Sequence, residues 1–144
     1  MRHGMMISTR GRYALRVMLD LAEHSAGEYI PMKIIARRQG LPPKYLEQIL
    51  PVLTRHRLIE GIQGKGGGYR LCRAPRDCTV GEILRLTEGS LAPVACLAEG
   101  AAPCERGSSC RTRPLWARLG QIVGDYLDSV TLEELLTGNL PERT

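Results

Sequence analysis

Apolar residues recur at helical spacing through most of this chain, and the first run is the clearest. From Ser8 to His24, behind a Ser/Thr cap signal, Tyr13, Ala14, Val17, Met18, Leu21 and Ala22 fall on one face at i, i+3 and i+4 intervals. Pro31 opens a short second helix carrying Ile34, Ile35 and Ala36, with Gly40 as its stop. Pro42 and Pro43 pre-set a third helix start, because the fixed φ of proline suits a first turn. That helix reads YLEQILPVLTRHRLI, with Leu46, Ile49, Leu50, Leu53 and Leu58 pointing inward. Pro51 is expected to kink it or split it in two, since it removes one backbone donor.

The pattern then changes. LIEGIQGKGGGYRLCR is a short apolar run, a glycine-rich tip, and Tyr69, Arg70 and Leu71, which predicts a β-hairpin. A fourth helix follows from Thr79, with Val80, Ile83, Leu84 and Leu86 apolar and Gly89 as its end. Ser90 to Thr112 is loop-like. From Arg113 a long stripe of Leu115, Trp116, Leu119, Ile122, Val123, Tyr126, Leu127 and Val130 returns to helical spacing, followed by Leu132, Leu135 and Leu136. Nothing later in the chain is left to cover this stripe, so a second copy of the same helix is expected there. Residues from Gly138 onward read as frayed.

Two helices joined at Gly40 and followed by a hairpin have the proportions of a winged helix-turn-helix. The fold expected is mainly α, with a small β-hairpin wing and a long C-terminal dimerisation helix. Residues 6–89 are expected to form the DNA-binding part, 90–112 a cysteine-bearing loop, and 113–137 the dimerisation helix and a final short helix.

Composition narrows this further. At 144 residues with 43% hydrophobic content but no Phe, the core must rest on Leu, Ile, Val, Met and Ala. A chain this small gains burial by forming a homodimer. Net charge is +5, yet it is unevenly spread: residues 1–74 hold thirteen Lys and Arg against five acids, and residues 75–144 hold seven against ten. A basic first half implies a polyanionic partner, double-stranded DNA. The most apolar early stretch, Ala14 to Ala22, is interrupted by Arg16 and Asp20, so neither a membrane span nor an export signal is expected, and the cytoplasm is the expected location. In that setting five cysteines read as reduced thiols or ligands, not as a disulfide framework.

The first turns of the third helix carry Lys44, Tyr45, Glu47 and Gln48, where an inserted helix meets base edges. Gln can pair with adenine and Glu can accept from cytosine N4. The plainer alternative is a solvated helix face. Gln63 and Lys65 on the hairpin tip, and Arg10 and Arg12 on the first helix, complete the DNA-contacting set. The tip is not a phosphate-binding loop for nucleotides, because Gly66 follows Lys65 where a Ser or Thr would bind magnesium.

Cys96, Cys104 and Cys110 are spaced C-x7-C-x5-C within VACLAEGAAPCERGSSCRTR, a stretch too polar and small-residue-rich to be core. Three chemistries suit it. Iron–sulfur clusters take loop thiolates at irregular spacings. A thiol switch would use Arg106, Arg111 and Arg113 to favour the thiolate. Structural zinc usually shows C-x2–4-C pairs, and none is present here. Cys72 and Cys78 are expected to be small buried residues. No nucleophilic triad or paired-carboxylate pattern emerges, so the chain is not read as an enzyme.

RGRYALRVMLDLAEHS, PPKYLEQIL, GKGGGYRL, TVGEILRLTEG and TLEELL, in this order, closely resemble the winged-helix transcriptional regulators of the IscR, NsrR and CymR type. The resemblance implies a homodimer with two winged-helix heads on a palindromic operator, acting as a repressor. It implies that Cys96, Cys104 and Cys110 hold an iron–sulfur cluster, [2Fe–2S] or [4Fe–4S], and that Glu47 reads bases. The chain also departs from the family: Arg113, Arg12 and Gln39 stand where different branches place a further ligand, and Gln63 replaces a wing arginine. Glu99, Glu105, a partner-chain group or a small molecule remain as fourth ligand. A clusterless thiol- or metabolite-responsive regulator of sulfur metabolism is the alternative.

Overall fold

The computed structural model describes residues 7–24, 26–98, 100–102 and 109–142, and the predicted helical architecture is present. Helix α1 (Thr9–His24) is its centre. Ser8 Oγ accepts the Gly11 N–H at 3.1 Å and so satisfies one of the donors that a helix start leaves unpaired. The apolar face of α1 is fully used: Ala14, Val17, Met18 and Leu21 are 0% exposed. Burying each larger side chain contributes roughly 1.5–3 kcal/mol relative to leaving it in water. Helices α2 (Met32–Gln39), α3 (Pro43–Arg55), α4 (Val80–Glu88) and α6 (Leu132–Thr137) all pack on α1.

Between α2 and α3 the chain turns at Gly40, whose φ of 64° lies in the left-handed region that suits glycine. Leu41 follows with its N–H on the Ala36 carbonyl at 3.0 Å and its side chain in the core. That contact locks the angle between the two helices. Of the two outcomes expected at Pro51, the split does not occur: α3 runs through it without interruption. Pro51 sits on the exposed side, where water can serve the carbonyl that loses its partner, while Ile49, Leu50 and Leu53 stay buried around it. The helix ends sooner than the apolar pattern predicts. Leu58 is buried after a turn at His56 and Arg57, not on a last helical turn.

Strands β1 (Ile59–Ile62) and β2 (Gly68–Leu71) form the antiparallel hairpin, with Ile59 opposite Leu71 and Ile62 opposite Gly68. A one-residue bridge extends it: Ile30 and Tyr69 exchange two backbone hydrogen bonds, both 2.8 Å. Gly68 makes this approach possible, since a Cβ there would stand 2.3 Å from the Ile30 carbonyl carbon. Arg70 fixes the hairpin base by pairing with Glu60 at 2.7 Å and donating to the Gly27 carbonyl at 2.8 Å.

Helix α4 starts at a Thr79 cap that accepts the Glu82 N–H at 3.1 Å. A short 3-10 turn at Ala95–Leu97 interrupts the loop, and helix α5 (Arg113–Ser129) follows. The chain then returns to the start of α4. Val80 N–H donates to the Val130 carbonyl at 2.8 Å, and Leu132 N–H donates to the Cys78 carbonyl at 3.0 Å. A capping box between Thr131 and Glu134 begins α6 there, and Leu132 enters the main core at 0% exposure.

Of the two cysteines near the wing, one meets the expectation of burial and one does not. Cys78 is buried, but Cys72 is exposed. Cys72 lies in the bend just past β2, which ends at the half-buried Leu71; its N–H donates to the Leu58 carbonyl at 3.0 Å while its side chain reaches solvent. Among the described residues no helix is long and apolar enough to cross a membrane.

Candidate nucleic-acid interface and thiol loop

The side chains of α1 at positions 13, 16 and 20 carry the helix-turn-helix. The Asp20 carboxylate is buried and accepts from Arg38 at 2.7 and 3.0 Å and from Gln39 Nε2 at 2.9 Å. Burial alone would raise the pKa of this carboxyl, but the Arg38 and Gln39 hydrogen bonds outweigh it and hold the value below that of an ordinary aspartate. Arg16 donates to the Gln39 side chain and backbone carbonyl, so the end of α2 is gripped from two sides. Tyr13 meets the edge of Tyr45 on α3, with ring centroids 5.3 Å apart.

Beyond this support the predicted contact residues point outward. Lys44, Glu47 and Gln48 are exposed on the first turns of α3, and Gln63 and Lys65 are exposed on the hairpin tip. Arg10 and Arg12 are exposed on α1, with Arg12 donating to Thr9 Oγ1 at 3.1 Å. Tyr45 stands apart from this set. It is half-buried against Tyr13, and the Lys44 ammonium lies 5.6 Å over its ring. That geometry fits a residue which positions α3 more than one that reads bases. Asp20 and Arg38 were missed from sequence, although an acid three residues after Val17, beside a buried apolar face, was the available signal.

The thiols occupy a different setting. Cys96 is exposed in the 3-10 turn, and Cys110 is half-exposed with its Sγ 3.4 Å from Thr112 Oγ1. Cys104, Glu99 and Glu105 lie outside the described residues. Among the described residues no three His, Cys, Asp or Glu side chains gather as a metal group. The described donors are nonetheless of the kind an iron–sulfur cluster takes: two accessible thiols, Cys96 and Cys110, the latter just before the start of α5. Arg113 begins that helix, and Gln39 is engaged with Asp20 and Arg16. By contrast, burial raises the pKa of Cys78, and partial desolvation together with the nearby Glu60 raises that of Cys72. Those two remain thiols.

Helix α5 links the loop to the head. Gly124 is its one buried residue among those described, while Leu115 is 57% and Ile122 37% exposed. Arg85 of α4 holds Asp128 of α5 at 2.5 and 3.1 Å. A cleft of about 400 Å³ opens between α4, the loop and α5, lined in part by Leu91, Pro93, Leu97 and Trp116.

Residues 7–138 match the Rrf2 family, described as "Iron-dependent Transcriptional regulator". The chain belongs to this family. It is 36% identical to the HTH-type transcriptional regulator IscR of Vibrio parahaemolyticus, over 94% of this chain and 79% of that protein. Among solved structures, CymR (YrzC), the global cysteine regulator of B. subtilis, is similar with a TM-score of 0.75 and 36% identity, covering 93% of this chain and 98% of that one. The IscR of T. potens gives a TM-score of 0.74 at 34% identity, covering 94% and 88%. The Rrf2 family is one of transcriptional regulators that bind DNA, and this chain is a transcriptional regulator of the Rrf2 and IscR type.

Proposed function

We propose that this Rrf2-type protein is a dimeric DNA-binding repressor whose thiol loop senses iron–sulfur status, redox state or nitric oxide. Residues 6–89 read a palindromic operator, residues 90–112 carry the thiols, and residues 113–137 pair the copies. The observation that carries the proposal is the position of the loop. It enters directly into α5, and α5 is tied to the head by Arg85–Asp128 and by the Val80–Val130 hydrogen bond.

Cys96, Cys104 and Cys110 would hold the cluster, which would supply a centre reactive toward oxygen and nitric oxide. Around it, this chain's residues carry the signal. The loop sets where α5 begins, the exposed Leu115 and Ile122 face supports the pairing of copies, and Val130 to Leu132 transmit any displacement to the first turn of α4. Glu47 and Gln48 read base edges, while Lys44, Lys65, Arg10 and Arg12 meet phosphates. A change in the loop alters operator binding only if its two states differ in affinity.

The similarity to a global cysteine regulator favours one second reading, a clusterless protein responding to thiol oxidation or a metabolite. Anaerobic isolation followed by absorbance and iron and sulfide assay separates the two. The cluster proposal expects a coloured protein with both elements present. A colourless, iron-free protein after anaerobic reconstitution, with duplex binding that follows thiol oxidation, would replace it by the second.

A further inference from the structure

A concave slot of about 400 Å³ lies between α3 and the wing, walled by Pro51, Thr54 and Arg55 on the helix and by Ile62, Gln63 and Tyr69 on the hairpin. No acid lines it, and Glu60, the acid of β1, is occupied by Arg70 at 2.7 Å. Ile62 is 48% exposed, which is high for an isoleucine.

The turn that joins α3 to β1 carries a second signal. Arg57 has a φ of 61°, inside the left-handed region where an L side chain is strained and glycine is not. Its side chain is exposed. That turn caps α3, with the Arg57 N–H on the Thr54 carbonyl and the Leu58 N–H on the Leu53 carbonyl, both at 3.0 Å, and glycine would hold it with less strain than arginine. What arginine adds there, two residues beyond Arg55, is an exposed charge between the reading helix and the wing.

From the slot, the paired arginines and the strained turn together, we infer that this junction clamps one sugar–phosphate strand of duplex DNA where it passes between the major groove under α3 and the minor groove at the wing. Arg55 and Arg57 neutralise phosphates there, and Pro51 and Ile62 pack against deoxyribose. The inference rests on the DNA-binding function proposed above and adds two phosphate-contacting residues outside the predicted set.

The test uses the full-length protein, duplexes it selects from a random library, and unrelated duplexes of the same length. Arg57→Gly is expected to keep or raise the melting temperature, because it relieves the left-handed strain, while weakening selected and unrelated duplexes alike by severalfold. The slope of log affinity against log salt should fall by about one. Arg55→Ala on the exposed helix face should lower the slope similarly without loss of fold. A residue with only a structural role would lower stability and leave the slope unchanged. Unaltered slopes and affinities in both variants, with the parent still binding duplex, would overturn the clamp and leave the DNA-binding function standing. A parent that binds no duplex at any salt would overturn both.

Discussion

In the helix-turn-helix head, Leu46, Leu53, Leu58 and Leu132 are 0% exposed, whereas on α5 Leu115 is 57% exposed and Gly124 is the one residue buried among those described. The head closes its own core, and it fastens its polar joints as well, down to a buried aspartate with three hydrogen bonds. The described part of the thiol loop and α5 close less of theirs. Leu115 and Ile122 face outward, Tyr126 and Leu127 are only half-buried against Val80, Leu84 and Val130, and Cys96 reaches solvent. Under the function proposed above, the region that is complete alone is a rigid reader, and the incomplete region depends on what joins it, which would let a second copy, or a ligand on the thiols, move the first.

The sharpest way to break this contrast is to shorten one leucine in each region. Leu53→Ala in the head should cost about 2–5 kcal/mol of folding stability, by lost transfer energy and the cavity left behind. Leu115→Ala should leave the helical content intact and instead weaken association of copies by roughly 1–3 kcal/mol. Denaturant melts over a range of protein concentrations, with sedimentation equilibrium, distinguish the two. Equal losses of intrinsic stability would erase the distinction between head and tail.

The next effect concerns the polar joints. Asp20→Asn should cost about 1.5–3 kcal/mol at neutral pH, the value of hydrogen bonds to a charged group. Because Arg38 and Gln39 hold this carboxyl below its usual pKa, its stabilisation is present above the ordinary aspartate range and is lost as pH falls through the lowered value. The variant should therefore show a flatter acid limb in its stability profile. An unchanged acid limb would show that the pair is not coupled to folding.

The smallest effect is expected at the tie between the regions. Arg85 and Asp128 are both nearly half-exposed, so water screens the pair, and Asp128→Asn should change stability by under about 1 kcal/mol. Its influence should be read instead in how far duplex affinity responds to the thiols. A variant that keeps the full response would show that Val130 to Leu132 carry the coupling without help from the ion pair.

Much of the head was legible because local rules govern it. Ala14, Val17, Met18 and Leu21 announce the buried face of α1 by spacing alone, Gly40 marks the turn, and the glycine run marks the wing. What escaped depends on pairings distant in sequence. Asp20 looked like an interruption of an apolar stretch, and Arg38 and Gln39, eighteen and nineteen residues on, explain its burial. The bridge from Ile30 to Tyr69 and the return of Val130 to Val80 leave no periodic trace. Pro51 was read by its lost hydrogen bond, but packing of Ile49, Leu50 and Leu53 overrides that loss. In the candidate site the exposed Lys44, Glu47, Gln48 and Lys65 were visible as motif residues, while the half-burial of Tyr45 against Tyr13 was not.

The most direct measurement is duplex affinity before and after the thiol loop is emptied, using anaerobically isolated protein and a duplex it has selected. Iron and sulfide are assayed in the same samples, and the Cys96→Ala, Cys104→Ala, Cys110→Ala variant serves as a permanently empty reference. Affinity is expected to change by about 5–150-fold on emptying, the range of a 1–3 kcal/mol coupling, and the emptied protein should match the variant. Superimposable binding curves for loaded protein, emptied protein and variant would contradict a loop that controls the head.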